Sequence, residues 1–339
     1  MHANTAGECP LVMVEKSETA GQLWCVAPGR YELRRAPLGP AGDDTLTVRA
    51  LASAVSRGTE RLVLEGAVPA SEHQRMRAPL QNGDFPFPVQ YGYQSVGVVE
   101  QGPPEWLGRT IFALHPHQDL YRLPVAAAMA VPDGLPPERA TLAANMETAL
   151  NALWDSGAGP GDRITIVGGG VIGLLLTVLA AKLPGAEVTL VDVNPARATL
   201  ARDFGAAFAL PGAVADDADL VFHTSASTAG LATALAAAAF EAKVVEVSWY
   251  GDRAPTIPLG QSFHSRRLQL IGSQVGSVSA SRRPRWPHAR RLAKALALLD
   301  DARLDQLVTH VVAFNEAPDR LPALLTEGED ALAILLDYR

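Results

Sequence analysis

The stretch Ile164-Thr165-Ile166-Val167-Gly168-Gly169-Gly170-Val171-Ile172-Gly173 constrains the fold more than any other part of the chain. A short β-rich run enters a glycine turn and an apolar helix leaves it. A second β-rich run, Val188–Val191, then ends on Asp192, nineteen residues after Gly173. Each glycine has its own physical role. Gly168 permits the tight turn, Gly170 lets backbone approach a pyrophosphate, and Gly173 lets the helix pack close to the strand. The helix N-terminus offers free N–H groups to phosphates, and Asp192 can accept both hydroxyls of an adenosine ribose. A tight βα turn without a ligand is the alternative. Strand, glycines, helix, strand and terminal carboxylate in register favour a dinucleotide site.

Strands and helices alternate around this turn. Strands are expected at Ile164–Val167, Val188–Val191, Ala207–Leu210, Leu220–His223, Val244–Ser248 and Leu268–Ser273, with helices near 171–183, 195–204 and 229–240. Six strands with crossover helices predict a doubly wound Rossmann sheet. The uncharged run Ile164–Ala181 reaches the length of a membrane span. Its three successive glycines split it into a strand and a buried helix, so no membrane partner is expected. Upstream, from Gln22 to about Val131, short β-rich runs between Pro/Gly turns predict a mainly antiparallel β domain. A helix over Pro137–Ser156 follows. After Val275 come a basic loop, a helix near 287–299, a strand over 307–313, a helix over 316–326 and a final strand over 331–337. Residues 1–20 are polar and aperiodic and are expected to form a loose extension. The chain thus divides into a β-rich domain (21–145 and 276–339) and an inserted dinucleotide domain (146–275).

Hydrophobic residues make up 48% of the 339 and charged residues 19%, which suits a large core under a soluble surface. A net charge of −7 argues against a general nucleic-acid partner. Two cysteines, Cys9 and Cys25, exclude a disulfide scaffold and a Cys-rich zinc module and suit a cytoplasmic setting. Met1–Glu8 has neither the basic flank nor the apolar core of a signal peptide.

The order of β domain, inserted nucleotide domain and returning chain resembles the medium-chain dehydrogenase/reductase superfamily over roughly 22–339. Val96–Glu100 is similar to the strand beyond that family's ligand histidine. Asn151-Ala152-Leu153 with Gly157–Asp162 is similar to its entry helix and turn, and Thr309-His310 to its late strand. Gly58-Thr59-Glu60 and Tyr91–Gly97 are similar to the bacteriochlorophyllide hydroxyethyl dehydrogenases and their relatives. The resemblance implies an α/β protein with a GroES-like, mainly-β catalytic domain plus a Rossmann cofactor domain. It also implies a homodimer that pairs edge strands at Leu268–Ser273. In zinc-dependent members, Cys, His and Cys or Glu hold the metal; the matching positions here read Ser56, Tyr93 and Ala144. Gln101–Leu107 is too short, and lacks the cysteines, for the structural zinc lobe. Neutral hydroxyls are poor zinc ligands and alanine is none, so no metal is expected.

His115-Pro116-His117-Gln118-Asp119 is the remaining metal candidate. An extended His-x-His puts both rings on one face, though Pro116 restrains the backbone. An organic role for His115 and His117 in the cleft is the favoured reading. Without a Lewis acid, a hydrogen-bond donor must polarise the carbonyl oxygen. Tyr93 is the first candidate, unless it only fills the vacated metal space. Arg57 would be the cation that makes it a better acid. Glu60 and Glu147 either relay a proton, anchor Arg57 or form structural ion pairs. Asn145 is an oxygen-binding amide or a helix cap.

The cofactor is expected to meet Gly168, Gly170, Val171, Ile172 and Gly173 at the turn, and Asp192, Val193, Asn194 and Arg197 at the ribose. Thr148 resembles the residue that packs on the nicotinamide. Thr224 and Ser225 follow the fourth strand, Ser248 and Trp249 the fifth, and Gly272 lies on the sixth. Trp249 and Tyr250 either stack a bulky substrate or fill the core. Arg282, Arg283, Arg285, His288, Arg290, Arg291 and Lys294 form either an anion site or a solvated helix face, with Trp286 capping a pocket or a subunit contact. The reading that emerges is a zinc-independent oxidoreductase that uses NAD(H) to interconvert a secondary alcohol and a ketone, its partner a bulky small molecule. NADP suits it less, because Asp192 repels a 2′-phosphate and only Arg197 softens that repulsion. The alternatives are a reductase of conjugated C=C bonds and an NAD(H)-binding regulator without turnover.

Overall fold

The computed structural model describes residues 19–326 and 330–339. The loose extension expected over 1–20 lies outside the described residues up to position 18, as does Cys9. Thr19 already belongs to a strand. β1 (Thr19–Ala27) and β2 (Arg30–Pro37) pair antiparallel, β3 (Thr45–Val55) opens the main sheet, and α1 (Arg57–Glu65) follows it. β4 (Asn82–Gly83) and β5 (Val89–Gln90) complete a four-stranded sheet in the order β2-β1-β5-β4. β6 (Ser95–Gln101), β7 (Thr110–Ala113), β8 (Leu120–Pro124) and β9 (Ala128–Ala130) join β3.

Next come α2 (Pro137–Ala140) and α3 (Ala143–Ser156). One helix was expected here. It breaks at Thr141–Leu142, where the Thr141 hydroxyl donates to the Glu138 carbonyl at 2.6 Å and competes with helix continuation. The nucleotide domain then runs β10 (Arg163–Val167), α4 (Val171–Ala180), β11 (Glu187–Val191), α5 (Arg197–Asp203), β12 (Ala207–Ala209), β13 (Ala218–His223), α6 (Thr228–Ala237), β14 (Ala238–Glu246) and β15 (Gln269–Gly272). The chain returns through α7 (His288–Leu298), β16 (Val308–Ala313), α8 (Ala317–Thr326) and β17 (Ala333–Asp337).

The six-stranded sheet is parallel throughout, in the order β12-β11-β10-β13-β14-β15. Its topological switch lies between β10 and β13, directly above the glycine turn, where doubly wound sheets bind ligands. The strand expected to start at Val244 starts at Ala238. Ala-rich sequence favours helix locally, but Ala238 pairs with Ala218 of β13 and tertiary pairing wins. The main sheet of the β-rich domain runs β16-β17-β3-β6-β7-β9, with β8 on β3. It is antiparallel except for the pair β16–β17. α4 is a ten-residue helix buried along most of its length, as a layer on a parallel sheet must be. Among the described residues no helix is long and apolar enough to cross a membrane. The main core runs through α3, α4 and β10 and takes in Val96 and Phe112 from the β domain, so the two domains share buried contacts.

Candidate active site

The glycine turn has the shape a pyrophosphate needs. Gly168 sits at φ +112°, a backbone that side-chain-bearing residues rarely adopt. A Cβ on Gly173 would stand 1.8 Å from the Gly168 carbonyl oxygen, so only glycine lets α4 approach β10. Gly170 faces open space, with nothing within 4 Å of where its Cβ would be. Val171 and Ile172 form the first turn of α4 beside it, half-buried. Asp192 accepts from the Gly169 amide at 2.5 Å and from the Asn194 amide at 2.7 Å. Each of its oxygens keeps a lone pair for a ribose hydroxyl. Arg197 packs its stem beside Gly169 and pairs its guanidinium with Asp330. Val193 is 80% exposed beside Asp192. These groups fit a dinucleotide.

The second row of expected cofactor residues supports this turn from below. The Thr224 hydroxyl donates to the Gly168 carbonyl at 2.8 Å. Ser248 Oγ accepts from the Ala226 amide at 3.0 Å. The Ser225 hydroxyl meets His223 Nε2 at 2.7 Å, and His223 Nδ1 meets Glu246 Oε2 at 2.8 Å. The Tyr250 hydroxyl donates to the same Glu246 oxygen at 3.2 Å, and burial followed by the Glu246 charge raises its pKa. Sequence reasoning does not find this His223–Glu246–Tyr250 network as a unit. Its signal is the pairing of two adjacent parallel strands that end on a histidine and a glutamate, His223 opposite Glu246. Gly272 closes β15.

At the junction of the domains stands Tyr93, half-buried. Its ring packs against both the main core, which includes Ala144, and the β-domain core. The Ser56 and Thr59 side chains lie beside its hydroxyl. Ser56 is the N-cap of α1 and Thr59 lies three residues on, so both face the same side of the first turn. Burial raises the Tyr93 pKa; the Ser56 and Thr59 hydrogen bonds oppose that shift, and the Glu60 charge adds to it. Thr59 was not singled out from sequence, although the i, i+3 spacing from Ser56 would have placed it.

Beneath Tyr93 lies a buried polar chain. Tyr338 OH lies 2.8 Å from Ser53 Oγ, which lies 2.7 Å from His117 Nδ1. His117 Nε2 is 3.0 Å from Glu60 Oε2, and Glu60 Oε1 accepts from the Ser56 amide at 2.8 Å. Glu60 therefore holds the start of α1, the turn that positions the Tyr93 hydroxyl. Ser53 and Tyr338 lie at opposite ends of the chain, and no local pattern joins them.

Several expectations change. His115 and His117 do not share a face. His117 turns inward to Glu60, whereas His115 stacks on Tyr121 at 3.9 Å and donates Nδ1–H to the Pro116 carbonyl at 2.9 Å. The backbone bends at His117, out of the regular extended geometry that alternation assumes. Burial lowers the His115 pKa to about 4. Among the described residues no group of three or more His, Cys, Asp or Glu side chains could hold a metal. Ser56, Tyr93 and Ala144, which the resemblance matches to zinc ligands, offer a hydroxyl, a phenol and a methyl group, a donor set that does not fit zinc.

Glu147 is not free to relay a proton: it forms a buried ion pair with Arg291 at 2.9 Å. Arg291 is accordingly not on a solvated face; it is 2% exposed. The Arg57 guanidinium donates to the Ala331 carbonyl at 2.8 Å, and the groups that shift Tyr93 are Ser56, Thr59 and Glu60. Asn145 sits inside the first turn of α3, whose N-cap is Leu142. Thr148 Oγ1 donates to the Ala144 carbonyl at 2.9 Å. Trp249 leaves β14 and packs on the β-domain core, bridging the domains.

Residues 172–295 match the zinc-binding dehydrogenase family model. An uncharacterised zinc-type alcohol dehydrogenase-like protein of Haemophilus influenzae is 25% identical over 231 residues, 64% of this chain. This chain spans about 63% of that relative's length. L-idonate 5-dehydrogenase of Escherichia coli superposes with a TM-score of 0.77 at 14% identity, covering 95% of this chain and 99% of that one. Acetophenone reductase of Geotrichum candidum, solved with NAD, superposes with a TM-score of 0.74 at 18% identity, covering 98% of each chain. The family-model match is confined to residues 172–295, and the fold as a whole is that of these solved dehydrogenases.

Proposed function

We propose that this chain is an oxidoreductase that uses NAD(H) to interconvert a secondary alcohol and a ketone without a catalytic zinc ion. The observation that carries the reading is Tyr93: a half-buried phenol between the two domain cores, beside Ser56 and Thr59, at a position the family resemblance matches to a metal ligand. When bound, a nicotinamide cofactor supplies or accepts the hydride. Gly168, Gly170, Gly173 and Asp192 would hold its dinucleotide end, with Val171, Ile172, Val193, Asn194 and Arg197 around it. Thr148, Ser248 and Trp249 would border its reactive end.

Burial and the Glu60 carboxylate keep Tyr93 protonated. Its hydroxyl is thus a neutral donor toward the carbonyl oxygen as negative charge develops there. The Ser56 and Thr59 side chains beside it stabilise charge that develops on the phenol oxygen as it donates. The Glu60–His117–Ser53–Tyr338 chain fixes the turn that carries them. The preference for NAD rests on Asp192, whose charge opposes a 2′-phosphate, while Arg197 is neutralised by Asp330. The named relatives support a secondary alcohol or ketone: one reduces acetophenone and another acts on L-idonate. The edge position of β15 supports a homodimer formed by pairing of that strand.

The test is Tyr93→Phe, assayed with NADH on aryl and bulky alkyl ketones. We expect kcat to fall about 10²–10³-fold, as for loss of an oxyanion donor, with NADH affinity within about twofold of the parent. Wild-type turnover should survive a strong zinc chelator. Full turnover by Tyr93→Phe, or activity lost to the chelator and restored by zinc, would overturn the proposal.

A further inference from the structure

We propose a second ligand site, for an amphipathic carboxylate with a flat apolar ring system, in the cavity between α3, α4 and α7. The cavity is about 280 Å³, room for a bicyclic aromatic acid and close to the range of small-molecule pockets. It lies at the C-terminal end of α4, about 15 Å along that helix from the glycine turn. It is therefore separate from the cofactor site, and the proposal is independent of the reaction assigned above.

Its floor and walls are apolar. Leu150 of α3, Leu179 of α4 and Leu298 of α7 form the floor, and Trp154 and Trp286 form a wall with ring centroids 4.8 Å apart. Its rim is cationic: Lys182, Arg282 and Lys294 all border it. Arg282 lies over Trp154 at 5.4 Å, and Arg290, just outside, covers Trp286 at 4.0 Å. Lys182 is balanced in part by Asp301 at 3.4 Å. Neither Arg282 nor Lys294 has an acidic partner among the described residues.

Charge and shape together select the ligand. In a chain of net charge −7, unpaired cations around an apolar cavity call for an anion. A bare inorganic anion would leave the leucines and tryptophans uncovered. A neutral hydrocarbon would leave the two cations unpaired. A flat ring with one carboxylate satisfies both: the ring displaces water from the floor, and the carboxylate meets the guanidinium and ammonium at the rim. The basic run 282–294, ambiguous in sequence, thus divides by burial. Arg291 is structural, and Arg282 and Lys294 are available.

The test is calorimetric titration of the full chain with 2-naphthoate and with neutral 2-naphthylmethanol, each with and without saturating NADH. We expect one naphthoate per chain, unaffected by NADH, binding at least tenfold more tightly than the alcohol. The double variant Arg282→Gln/Lys294→Gln alters only exposed side chains. It should weaken naphthoate at least tenfold and change the alcohol less than twofold. The proposal fails if naphthoate does not bind below millimolar concentration, if NADH displaces it, or if the double variant binds it as tightly as the parent.

Discussion

Replacing Arg291 with methionine should destabilise the protein by about 3–5 kcal/mol, the cost of removing one partner from a buried ion pair. The guanidinium is buried and donates to Glu147 Oε1 at 2.9 Å, Asn151 Oδ1 at 2.6 Å, the Val275 carbonyl at 2.5 Å and the Ser277 carbonyl at 3.3 Å. Asn151 Oδ1 keeps a second partner, the Ser279 amide at 3.1 Å. Glu147 has no other ion-pair partner among the described residues, and its residue is 5% exposed. The loss therefore concentrates on one stranded carboxylate. Burial already holds the Glu147 pKa above its ordinary value, with Arg291 pulling it back. Without Arg291 the folded value rises further, while the unfolded value stays near about 4.3. A group with a raised folded pKa favours folding below its unfolded value, and that contribution is lost as pH rises through the folded value. The variant should therefore lose less stability at pH 5 than at pH 8. Glu147→Gln/Arg291→Met, which buries no charge, should recover part of the loss. Urea unfolding followed by tryptophan fluorescence at both pH values measures all three. A loss under 1 kcal/mol, one independent of pH, or a double variant no better than Arg291→Met would refute the reasoning.

Titration with both reduced cofactors should show NADH binding at least tenfold more tightly than NADPH; the reverse order would remove Asp192 from the ribose site. His115, with its pKa lowered to about 4 by burial, binds its proton more readily when unfolded. Its contribution to stability is complete above the unfolded value of about 6.5 and lost as pH falls toward 4. His115→Phe, which can keep the stack on Tyr121, should flatten the fall in melting temperature over that window, and an unchanged acid slope would place the sensitivity elsewhere. Light scattering at micromolar concentration should give a dimer mass, and charged substitutions on β15 should return it to a monomer.

What was legible in the sequence was whatever the backbone itself demands. Gly168 and Gly173 can be only glycine where they stand, so the turn, the strand before it and the helix after it could be placed to within a few residues. The alternation of apolar runs gave the parallel sheet for the same reason. Side-chain partnerships were not legible, because pairs such as Glu147–Arg291 and Ser53–Tyr338 are set by how distant elements pack. The His115-Pro116-His117 segment shows the limit of period-2 reasoning: two histidines two residues apart meet different environments, one at Tyr121 and the other at Glu60. The alanines at 236–239 show another. Their composition favours helix, and only the neighbouring strand β13 makes Ala238 extended. Tyr93 was found because its position was marked by resemblance, but its partners on α1 needed the fold.

The pairing of β17 with β3 joins residues 334–337 to 52–55, across the inserted nucleotide domain. Closing so long a loop carries an entropic cost that grows only slowly with its length, and a compact insert shortens the effective gap. As the polypeptide leaves the ribosome, residues 163–272 can collapse on neighbours already synthesised. β3, by contrast, waits for its last partner until nearly the whole chain has emerged. Until then one flank of the β3 sheet presents bare amides and carbonyls, a surface on which unfinished chains can join one another. The order of synthesis thus makes the nucleotide domain the scaffold and leaves the half that carries Tyr93 as the last to be sealed.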